Sequence, residues 1–408
     1  MINYKLSFIE SPSEIEINLN SSKSESNRLL IIKSLSDNKI ELENLSHAND
    51  TVLLKNLIGS NSQNIWDAED AGTTMRFLTS FLAVTKQGVL LTGTERMKKR
   101  PIKILVDALN KIGAEISYTE KDGYPPIKIN RKISQVKESI SIRGDISSQY
   151  ISSLLMIAPV LPNGLKIDVM PPFYSKPYVM MTLNLMKKFG IKYDLSKDSI
   201  SINNQEYKPG SYKVESDWSA ASYWYSFISI NKKLKEIKLK GLREHSFQGD
   251  QVIKKIMTLF NVETLYDKDG IILRKKDFDC DYLELDFKDC PDLAQTVLVV
   301  AAFHKVKLKL YGVESLKIKE TDRLEAMSNE LKKIGVNFYD DNGVWTLDKR
   351  NNELSNEASI ETYKDHRMAM AFAPLASEIN ITINNPDVVN KSYPTFWEDM
   401  KKAGYDII

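Results

Sequence analysis

The feature that most constrains the fold is a repeat of about 70 to 75 residues. Apolar helical segments follow an aspartate at intervals of 75, 72, 72 and 76 residues, beginning at Asp70, Asp145, Asp217, Asp289 and Asp365. A second series consists of amphipathic helices that stop at Gly113, Gly190, Asn261, Gly335 and Gly404. Two series with a nearly fixed offset indicate an internal repeat, with close to six units in the chain.

Each repeat predicts the same local structure. Its first helix is apolar nearly all round and should be buried, whereas its second helix has one polar face and should be partly exposed. Strand-like segments follow, so the sequence predicts an α/β fold. The segment SSKSESNRLLIIKSL is the shortened sixth member. A strand-like segment also precedes it, and the last repeat ends early at Ile408. We therefore expect the N-terminus to complete the C-terminal domain, with a double crossover near residues 20 and 215.

Composition narrows the class of protein. The 408 residues include 56 Lys+Arg and 54 Asp+Glu, which gives a formal net charge of +2. A net charge this small gives no reason to expect a nucleic-acid or membrane partner. The start lacks an apolar signal core, and no apolar stretch is long enough to span a bilayer, so we expect a soluble, cytoplasmic protein. Cys280 and Cys290 form neither a disulfide framework nor a zinc ligand set.

Cations lie near the starts of several first-series helices. These are Lys23, Arg28, Arg76, His366 and Arg367. The start of a helix is its positive end, which disfavours cations but binds anions through free backbone N–H groups. A single arginine at a helix start, such as Arg76 considered alone, more often pairs with a surface carboxylate than binds a ligand. Their recurrence at equivalent repeat positions instead predicts a site for phosphate or carboxylate groups.

Three further segments carry charged or polar side chains suited to such a ligand. Ser24 and Arg28 are four residues apart and share a helix face, so both can reach one oxyanion. Arg96 lies in a basic loop whose Lys98 and Lys99 fit a solvated charge run. The segment KETDRL places Lys319, Glu320 and Arg323 at another helix entry; among cations, a carboxylate stays ionised unless burial opposes this.

In order along the chain, nine motifs resemble the 5-enolpyruvylshikimate-3-phosphate synthase family: SKSESNR, DAGTTMR, RMKKRP, GDISSQY, SKPY, PDLAQT, KETDRL, DHRMAMAF and KSYPTFW. The resemblance runs from about Lys23 to Trp397. It implies the two-domain enolpyruvyl transferase fold, in which each domain has three repeated βαβαββ-type units with buried inner helices and outer sheets. Residues 21–215 would form the N-terminal domain, mainly the shikimate 3-phosphate side. Residues 1–20 and 216–408 would form the C-terminal domain, with the active site between them.

The resemblance also implies an activity. The enolpyruvyl group of phosphoenolpyruvate would pass to the 5-hydroxyl of shikimate 3-phosphate, with release of phosphate. Both substrates are multiply anionic, which agrees with the cations at the helix starts. Enolpyruvyl transfer of this kind needs no metal and no organic cofactor. We expect a monomer that closes on shikimate 3-phosphate and that glyphosate inhibits.

Site residues follow motif by motif from the resemblance. Shikimate 3-phosphate would contact Lys23, Ser24, Arg28, Ser147, Ser148, Gln149, Ser175, Tyr178, Asp292 and Lys319. Phosphoenolpyruvate would contact Lys23, Gly72, Arg96, Gln149, Arg323, Arg367 and Lys391. Asp292 or Lys23 would assist deprotonation of the hydroxyl, Glu320 would protonate the methylene carbon and His366 would orient these groups. The assignment of each proton transfer stays open at this point.

The sequence departs from the family pattern at three positions, and rival functions remain. Asp70 stands where many members have Asn, Phe77 where they have Pro, and Ser315 where an Asn or Glu is frequent. The nearest rival is the transferase that acts on UDP-N-acetylglucosamine, which typically carries a reactive Cys or Asp in the loop around Arg96; this chain has neither there. A non-catalytic repeat scaffold is the alternative of another class.

Overall fold

The computed structural model describes residues 2–10, 12, 14–60, 64–277, 279–349 and 353–408. The chain divides into two compact domains. The N-terminal domain is Ser22–Val214, and the C-terminal domain combines Met1–Ser21 with Glu215–Ile408.

Helices alternate between two kinds along the chain. Within the described ranges they are α1 (Lys23–Leu35), α2 (Asn49–Gly59), α3 (Gly72–Thr85), α4 (Lys103–Ile112), α5 (Ser148–Ile157), α6 (Lys176–Lys188), α7 (Trp218–Ile230), α8 (Ile253–Thr258), α9 (Ala294–Phe303), α10 (Arg323–Lys333), α11 (His366–Phe372) and α12 (Phe396–Lys402). The odd-numbered helices are the inner ones; α7, for example, buries every residue except Ser219. The even-numbered helices bury one face, as α4 does with Leu105, Leu109 and Ile112. This is the predicted division into inner and outer helices. No helix of the described ranges has the length and apolar character needed to cross a membrane.

The strands form small sheets with one recurring pattern. They are β1 (Asn3–Phe8), β2 (Glu16–Asn18), β3 (Ile40–Glu43), β4 (Ile65–Asp67), β5 (Val89–Thr92), β6 (Glu115–Tyr118), β7 (Ile127–Arg131), β8 (Ser139–Arg143), β9 (Leu165–Met170), β10 (Asp194–Leu195), β11 (Ser199–Ile202), β12 (Gly210–Lys213), β13 (Glu236–Lys240), β14 (Val262–Tyr266), β15 (Gly270–Lys275), β16 (Tyr282–Asp286), β17 (Lys307–Tyr311), β18 (Phe338–Asp341), β19 (Val344–Leu347), β20 (Glu357–Ile360), β21 (Asn380–Asn384) and β22 (Tyr405–Ile407). In the sheet β4-β5-β7-β6, the pair β4 and β5 is parallel and the other pairs are antiparallel.

This pattern defines the repeat unit. An inner helix joins the two parallel strands, an outer helix follows, and two antiparallel strands complete the sheet, which gives the order βαβαββ. The sheets β8-β9-β11-β10 and β16-β17-β19-β18 repeat it, and the sheets β2-β13-β15-β14 and β20-β21-β1-β22 repeat its strand order with β2 and β1 supplied by the N-terminal segment. The predicted α/β fold of repeated units is therefore confirmed.

Strands from the two chain segments of the C-terminal domain pair with each other. β1 is antiparallel to both β21 and β22, and β2 is parallel to β13. The last strand of the N-terminal domain, β12, is parallel to β3 and completes the first repeat there. Ser21 and Ser216 form an antiparallel bridge, so the outgoing and returning chain lie side by side.

Only some of the repeat-marking aspartates cap their helices. Asp217 accepts from the amide of Ser219 at 2.8 Å and begins α7, and Asp365 accepts from the amide of Arg367 at 2.9 Å and begins α11. In contrast, α5 is capped by Ser147, and α3 begins after Ala71 with no side-chain cap among the described residues. The first-turn amides of α3 therefore receive no capping oxygen from the side chain of Ala71.

Candidate active site

The start of α1 presents Lys23 beside a carboxylate. Ser22 caps the helix by accepting from the amide of Glu25 at 3.3 Å, and Lys23 is the first helical residue. The Lys23 Nζ lies 3.2 Å from Asp50 Oδ2. The Lys23 side chain is 15% exposed, so a ligand can still reach its ammonium group. Ser24, the next residue, lies on the same first turn and is half-buried.

Arg28 is held from several sides inside the N-terminal domain. Its Nε donates to Thr182 Oγ1 at 2.7 Å, and Nη1 donates to the carbonyl oxygen of Ser24 at 2.9 Å. Nη2 donates to Ser152 Oγ at 3.4 Å and to the carbonyl oxygen of Tyr178 at 3.3 Å. With these four bonds formed, one of the five guanidinium N–H groups, on Nη1, is left for a ligand.

The charge of Arg28 persists despite its burial. The residue is 3% exposed, and burial lowers the pKa of its guanidinium to about 10, which is still well above neutral pH. The ring of Phe77 lies beneath it, with the guanidinium carbon 5.3 Å from the ring centroid. A cation over an aromatic face is favourable, and the negative charge of Glu25 also supports the guanidinium by raising its pKa. The departure at Phe77 therefore supports Arg28, and α3 continues through this position without a break.

Guanidinium groups crowd the start of α3. A Cβ built on Gly72 would lie 2.6 Å from Arg100 Nη1 and 2.8 Å from Arg76 Nη1, so the absent side chain gives these groups their space. Arg76 is buried, and its Nη1 donates to the carbonyl oxygen of Gly72 at 3.0 Å. Arg96 directly precedes the short helical turn Met97–Lys99 and is half-buried.

The start of α5 is linked to the start of α3. Ser147 caps α5 by accepting from the amide of Gln149 at 3.3 Å, and Ser148 is the first helical residue. The Gln149 Nε2 donates to Thr73 Oγ1 at 3.0 Å. The predicted residues Gly72 and Gln149 are therefore brought together, because Thr73 is the residue next to Gly72.

Ser175 adopts a backbone conformation that is unusual for its residue type. Its φ is 54° and its ψ is 32°, in the left-handed region, and it directly precedes α6. Such strained positions in residues other than Gly are found disproportionately at functional sites. Ser175 is 9% exposed. Tyr178 lies in the following turn, where its carbonyl oxygen accepts from both Arg28 and Thr182.

In the C-terminal domain, Asp292 joins two arginines. Its Oδ1 accepts from Arg323 Nη1 at 2.9 Å, and its Oδ2 accepts from Arg367 Nη2 at 2.9 Å. Arg367 Nη1 donates to the Asp292 carbonyl oxygen and to the hydroxyl of Tyr223, each at 3.2 Å. Lys319 Nζ lies 3.9 Å from Asp292 Oδ1. The carboxylate thus occupies N–H groups of both arginines that the resemblance assigns to phosphoenolpyruvate.

These cations set the protonation state of Asp292. Burial alone would raise its pKa, but the charges of Arg367, Lys319 and Arg323 together hold the pKa well below its usual range. Burial also lowers the pKa of Lys319, partly offset by Asp292. Asp292 is therefore ionised and, in this arrangement, a weak base.

Arg323 is the centre of the cluster. It is 2% exposed and donates through Nε to Asp365 Oδ2 at 2.7 Å and through Nη2 to Glu320 Oε2 at 2.9 Å. Burial opposes its charge, but Asp365, Glu320 and Asp292 raise the pKa of Arg323 above its ordinary value. One guanidinium thus fixes three carboxylates, which come from different segments of the chain.

The remaining predicted residues of this domain lie next to that cluster. Lys391 Nζ is 3.6 Å from Glu320 Oε1, so Glu320 lies between two cations. His366 is 2% exposed, and its Nδ1 is 3.6 Å from Asp365 Oδ1, which is longer than a hydrogen bond. The described residues contain no group of three or more His, Cys, Asp or Glu arranged to hold a metal ion.

Sequence reasoning missed three residues of these clusters. Asp365 was treated only as a repeat marker, although its position directly before the cations His366 and Arg367 is a signal that can be used. Arg100 was hidden within the basic run around Arg96. Tyr223 gave no signal, because it lies in an apolar helix where an aromatic residue usually belongs to the core.

The overall fold matches that of the enolpyruvyl transferases. An EPSP synthase structure from Acinetobacter baumannii superposes with a TM-score of 0.77 at 20% sequence identity, covering 100% of this chain and 99% of that one. The enolpyruvyl transferase NikO from Streptomyces tendae superposes with a TM-score of 0.71 at 11% identity, covering 100% and 98%. At these identities the likeness establishes the fold.

Sequence similarity establishes the family. The family model of EPSP synthase (3-phosphoshikimate 1-carboxyvinyltransferase) matches residues 54–400. A 3-phosphoshikimate 1-carboxyvinyltransferase from Bacteroides fragilis (strain YCH46) is 45% identical over 405 residues, covering 98% of each chain. One from Buchnera aphidicola subsp. Baizongia pistaciae is 36% identical over 414 aligned positions, covering 94% of this chain and 95% of the relative. The chain belongs to the EPSP synthase family.

Proposed function

We propose that the protein transfers the enolpyruvyl group of phosphoenolpyruvate to the 5-hydroxyl of shikimate 3-phosphate, a step in the synthesis of chorismate and aromatic amino acids. The observation that carries the proposal is the Asp292 carboxylate held by Arg323 and Arg367, beside Glu320 and Lys319. Such a cluster offers guanidinium groups for a substrate carboxylate and two acids for proton transfer. Full-length similarity to relatives named for this reaction supports it.

The substrate contacts in this proposal are those expected from the sequence. Shikimate 3-phosphate is bound by Lys23, Ser24, Arg28, Ser147, Ser148, Gln149, Ser175, Tyr178, Asp292 and Lys319. Phosphoenolpyruvate is bound by Lys23, Gly72, Arg96, Gln149, Arg323, Arg367 and Lys391. Arg28 then gives a substrate carboxylate one N–H group rather than a two-pronged grip, because its other N–H groups are committed to the protein.

Binding of phosphoenolpyruvate exchanges one carboxylate for another. Because Asp292 occupies N–H groups of Arg323 and Arg367, we infer that the substrate carboxylate replaces it on at least one of them. Asp292 then loses cations that stabilise its ionised form, and its pKa rises toward the ordinary range. The exchange turns a weak base into a stronger one when the second substrate arrives.

The reaction proceeds by addition and then elimination. The 5-hydroxyl loses its proton to the Asp292 carboxylate, or to Lys23 in its neutral amine form, as its oxygen bonds to C2 of phosphoenolpyruvate, and Glu320 in its protonated form gives a proton to C3. The product of this step is a tetrahedral phosphate ketal. C3 then returns a proton to the enzyme, and the bond from C2 to the phosphate oxygen breaks with release of phosphate. His366 orients these groups.

Several expectations from the sequence stay predictions. They are the binding of both substrates between the two domains, closure on shikimate 3-phosphate, the monomeric state and the cytoplasmic location. The chemical route is testable in D2O. Addition turns C3 into a methyl group with one hydrogen from solvent, and elimination then removes one hydrogen from that group. In D2O this route puts deuterium into the methylene of the enolpyruvyl product, which NMR detects. Formation of pyruvate and a doubly phosphorylated acceptor would instead indicate phosphoryl transfer and overturn the proposal.

A further inference from the structure

Arg100 lies against the first residue of α3. Its Nη1 and Cζ are 2.6 Å and 3.0 Å from the position that a Cβ of Gly72 would occupy. The guanidinium therefore fills the space that the missing side chain leaves. Gly72 is also the residue whose backbone we assign to the phosphate of phosphoenolpyruvate, so Arg100 is in van der Waals range of that subsite.

Arg100 differs from its basic neighbours in how its charge is balanced. Lys98 lies 3.1 Å from Glu95 and 2.9 Å from Glu120. For Arg100, the described residues provide no side-chain hydrogen bond and no ion pair, and its Nε is fully buried without an acceptor. A buried donor without an acceptor is costly, which is why such groups usually face a bound ion, water or ligand.

The surroundings of this guanidinium favour an anion. The first turn of α3 contains no acidic residue, and Ala71 offers no capping side chain. Arg76, the second guanidinium at Gly72, donates to the carbonyl oxygens of Gly72 and Pro101 at 3.0 Å and 3.4 Å. The guanidinium groups of Arg100 and Arg76 both lie next to Gly72, and two like charges this close repel each other unless an anion lies between them.

We propose that Arg100 is a phosphate-binding residue, which donates to the phosphate of phosphoenolpyruvate beside the Gly72 backbone and Arg96. This inference rests on the proposed function. Arg76 has a different role, because its N–H groups are used to hold the loop carbonyls. Arg100 thus joins Arg96 as a second member of the basic run RMKKR that contacts the substrate phosphate.

The test compares Arg100→Gln with Lys99→Gln, which removes an exposed charge next to it. With shikimate 3-phosphate saturating, Arg100→Gln should raise the KM for phosphoenolpyruvate roughly tenfold or more, as expected for a lost charge-assisted bond. Lys99→Gln should leave it within about twofold. Arg100→Lys should recover part of the loss, since it restores the charge but not the planar fork. Equal KM values for Arg100→Gln and Lys99→Gln would overturn the inference.

A binding measurement separates this inference from the proposed function. Calorimetric titration with inorganic phosphate should show weaker binding to Arg100→Gln than to the wild type and Lys99→Gln. If the wild type forms no enolpyruvyl product yet this difference remains, the proposed function fails and the anion site stands. If the wild type turns over and phosphate binds all three proteins equally, the function stands and the role of Arg100 fails.

Discussion

Asp292 Oδ2 accepts a hydrogen bond from Arg367 Nη2 at 2.9 Å, and this contact places a protein carboxylate on an arginine that we assign to the substrate. The same carboxylate binds Arg323 through its other oxygen. Asp292 therefore competes with phosphoenolpyruvate for guanidinium N–H groups and is also the candidate base. As the base, Asp292 increases kcat. As a competitor for the arginines, it increases the KM for phosphoenolpyruvate.

The Asp292→Asn variant separates these roles. Loss of the base should lower kcat by at least about 100-fold. The KM for phosphoenolpyruvate should stay the same or fall, because a neutral amide competes less well with the substrate carboxylate. Steady-state kinetics with Asp281→Asn as the control, an exposed carboxylate on the same domain, would check this. A higher KM for phosphoenolpyruvate in Asp292→Asn would contradict the exchange.

The pair of Arg323 and Asp365 should be critical for stability. Asp365 is fully buried, contacts Arg323 at 2.7 Å and caps α11. The Asp365→Asn variant leaves a buried guanidinium short of one counter-charge, which should lower the free energy of unfolding by about 3–5 kcal/mol. Urea denaturation measures this value. The surface change Asp37→Asn, by comparison, should cost less than about 0.5 kcal/mol; similar values for the two variants would refute the prediction.

His304 should make stability depend on pH between about 4 and 6.5. Burial, with help from the charge of Lys275, lowers the pKa of His304 to about 4 from an ordinary 6.5. In that window the unfolded chain binds a proton that the folded chain does not, so stability should fall as the pH falls. The full effect is about 3 kcal/mol.

The His304→Gln variant is the check on this pH dependence. Its amide retains a polar partner for Ser229, whose Oγ is 2.8 Å from His304 Nε2, but it cannot titrate. Denaturation of both proteins should show that the wild type loses stability relative to the variant from pH 6.5 to 4. A constant difference across this range would show that the pKa of His304 is not lowered in the folded protein.

Gly72 should control access to the phosphoenolpyruvate site. We expect glyphosate to compete with phosphoenolpyruvate, and Gly72→Ala to weaken both by displacing the guanidinium groups of Arg100 and Arg76. The KM for phosphoenolpyruvate should rise roughly tenfold. The control is Gly59→Ala, where a new Cβ meets nothing within 4 Å. Poor competition by glyphosate against the wild type would contradict the expectation.

The fold could be predicted because the repeat appears in the sequence itself. Helices that are apolar all round must be buried, and their spacing predicted a unit with an inner helix, an outer helix and strands, whereas the βαβαββ order came from the resemblance to the family. The incomplete last repeat also led us to expect the N-terminal strands in the C-terminal domain. The repeat-marking aspartates do not share one capping role, since Asp145 is paired with Arg143 and Ser147 caps α5.

The site residues could be recognised by motif, but their internal contacts could not. Arg28 is engaged by Ser152 and Thr182, which are 124 and 154 residues away along the chain. No local pattern reveals that these bonds leave only one N–H group for a ligand. The same limit hid Arg100, which differs from Lys98 in having no side-chain partner among the described residues and from the exposed Lys99 in the burial of its Nε.

The central claim is tested most directly by phosphate release from phosphoenolpyruvate with two acceptors, shikimate 3-phosphate and UDP-N-acetylglucosamine. The wild type should release phosphate only with shikimate 3-phosphate. Lys23→Ala should lower this rate by roughly 100- to 1,000-fold, whereas Lys33→Ala, at the other end of α1, should not change it. Release with UDP-N-acetylglucosamine, or with neither acceptor from folded protein, would contradict the proposed reaction.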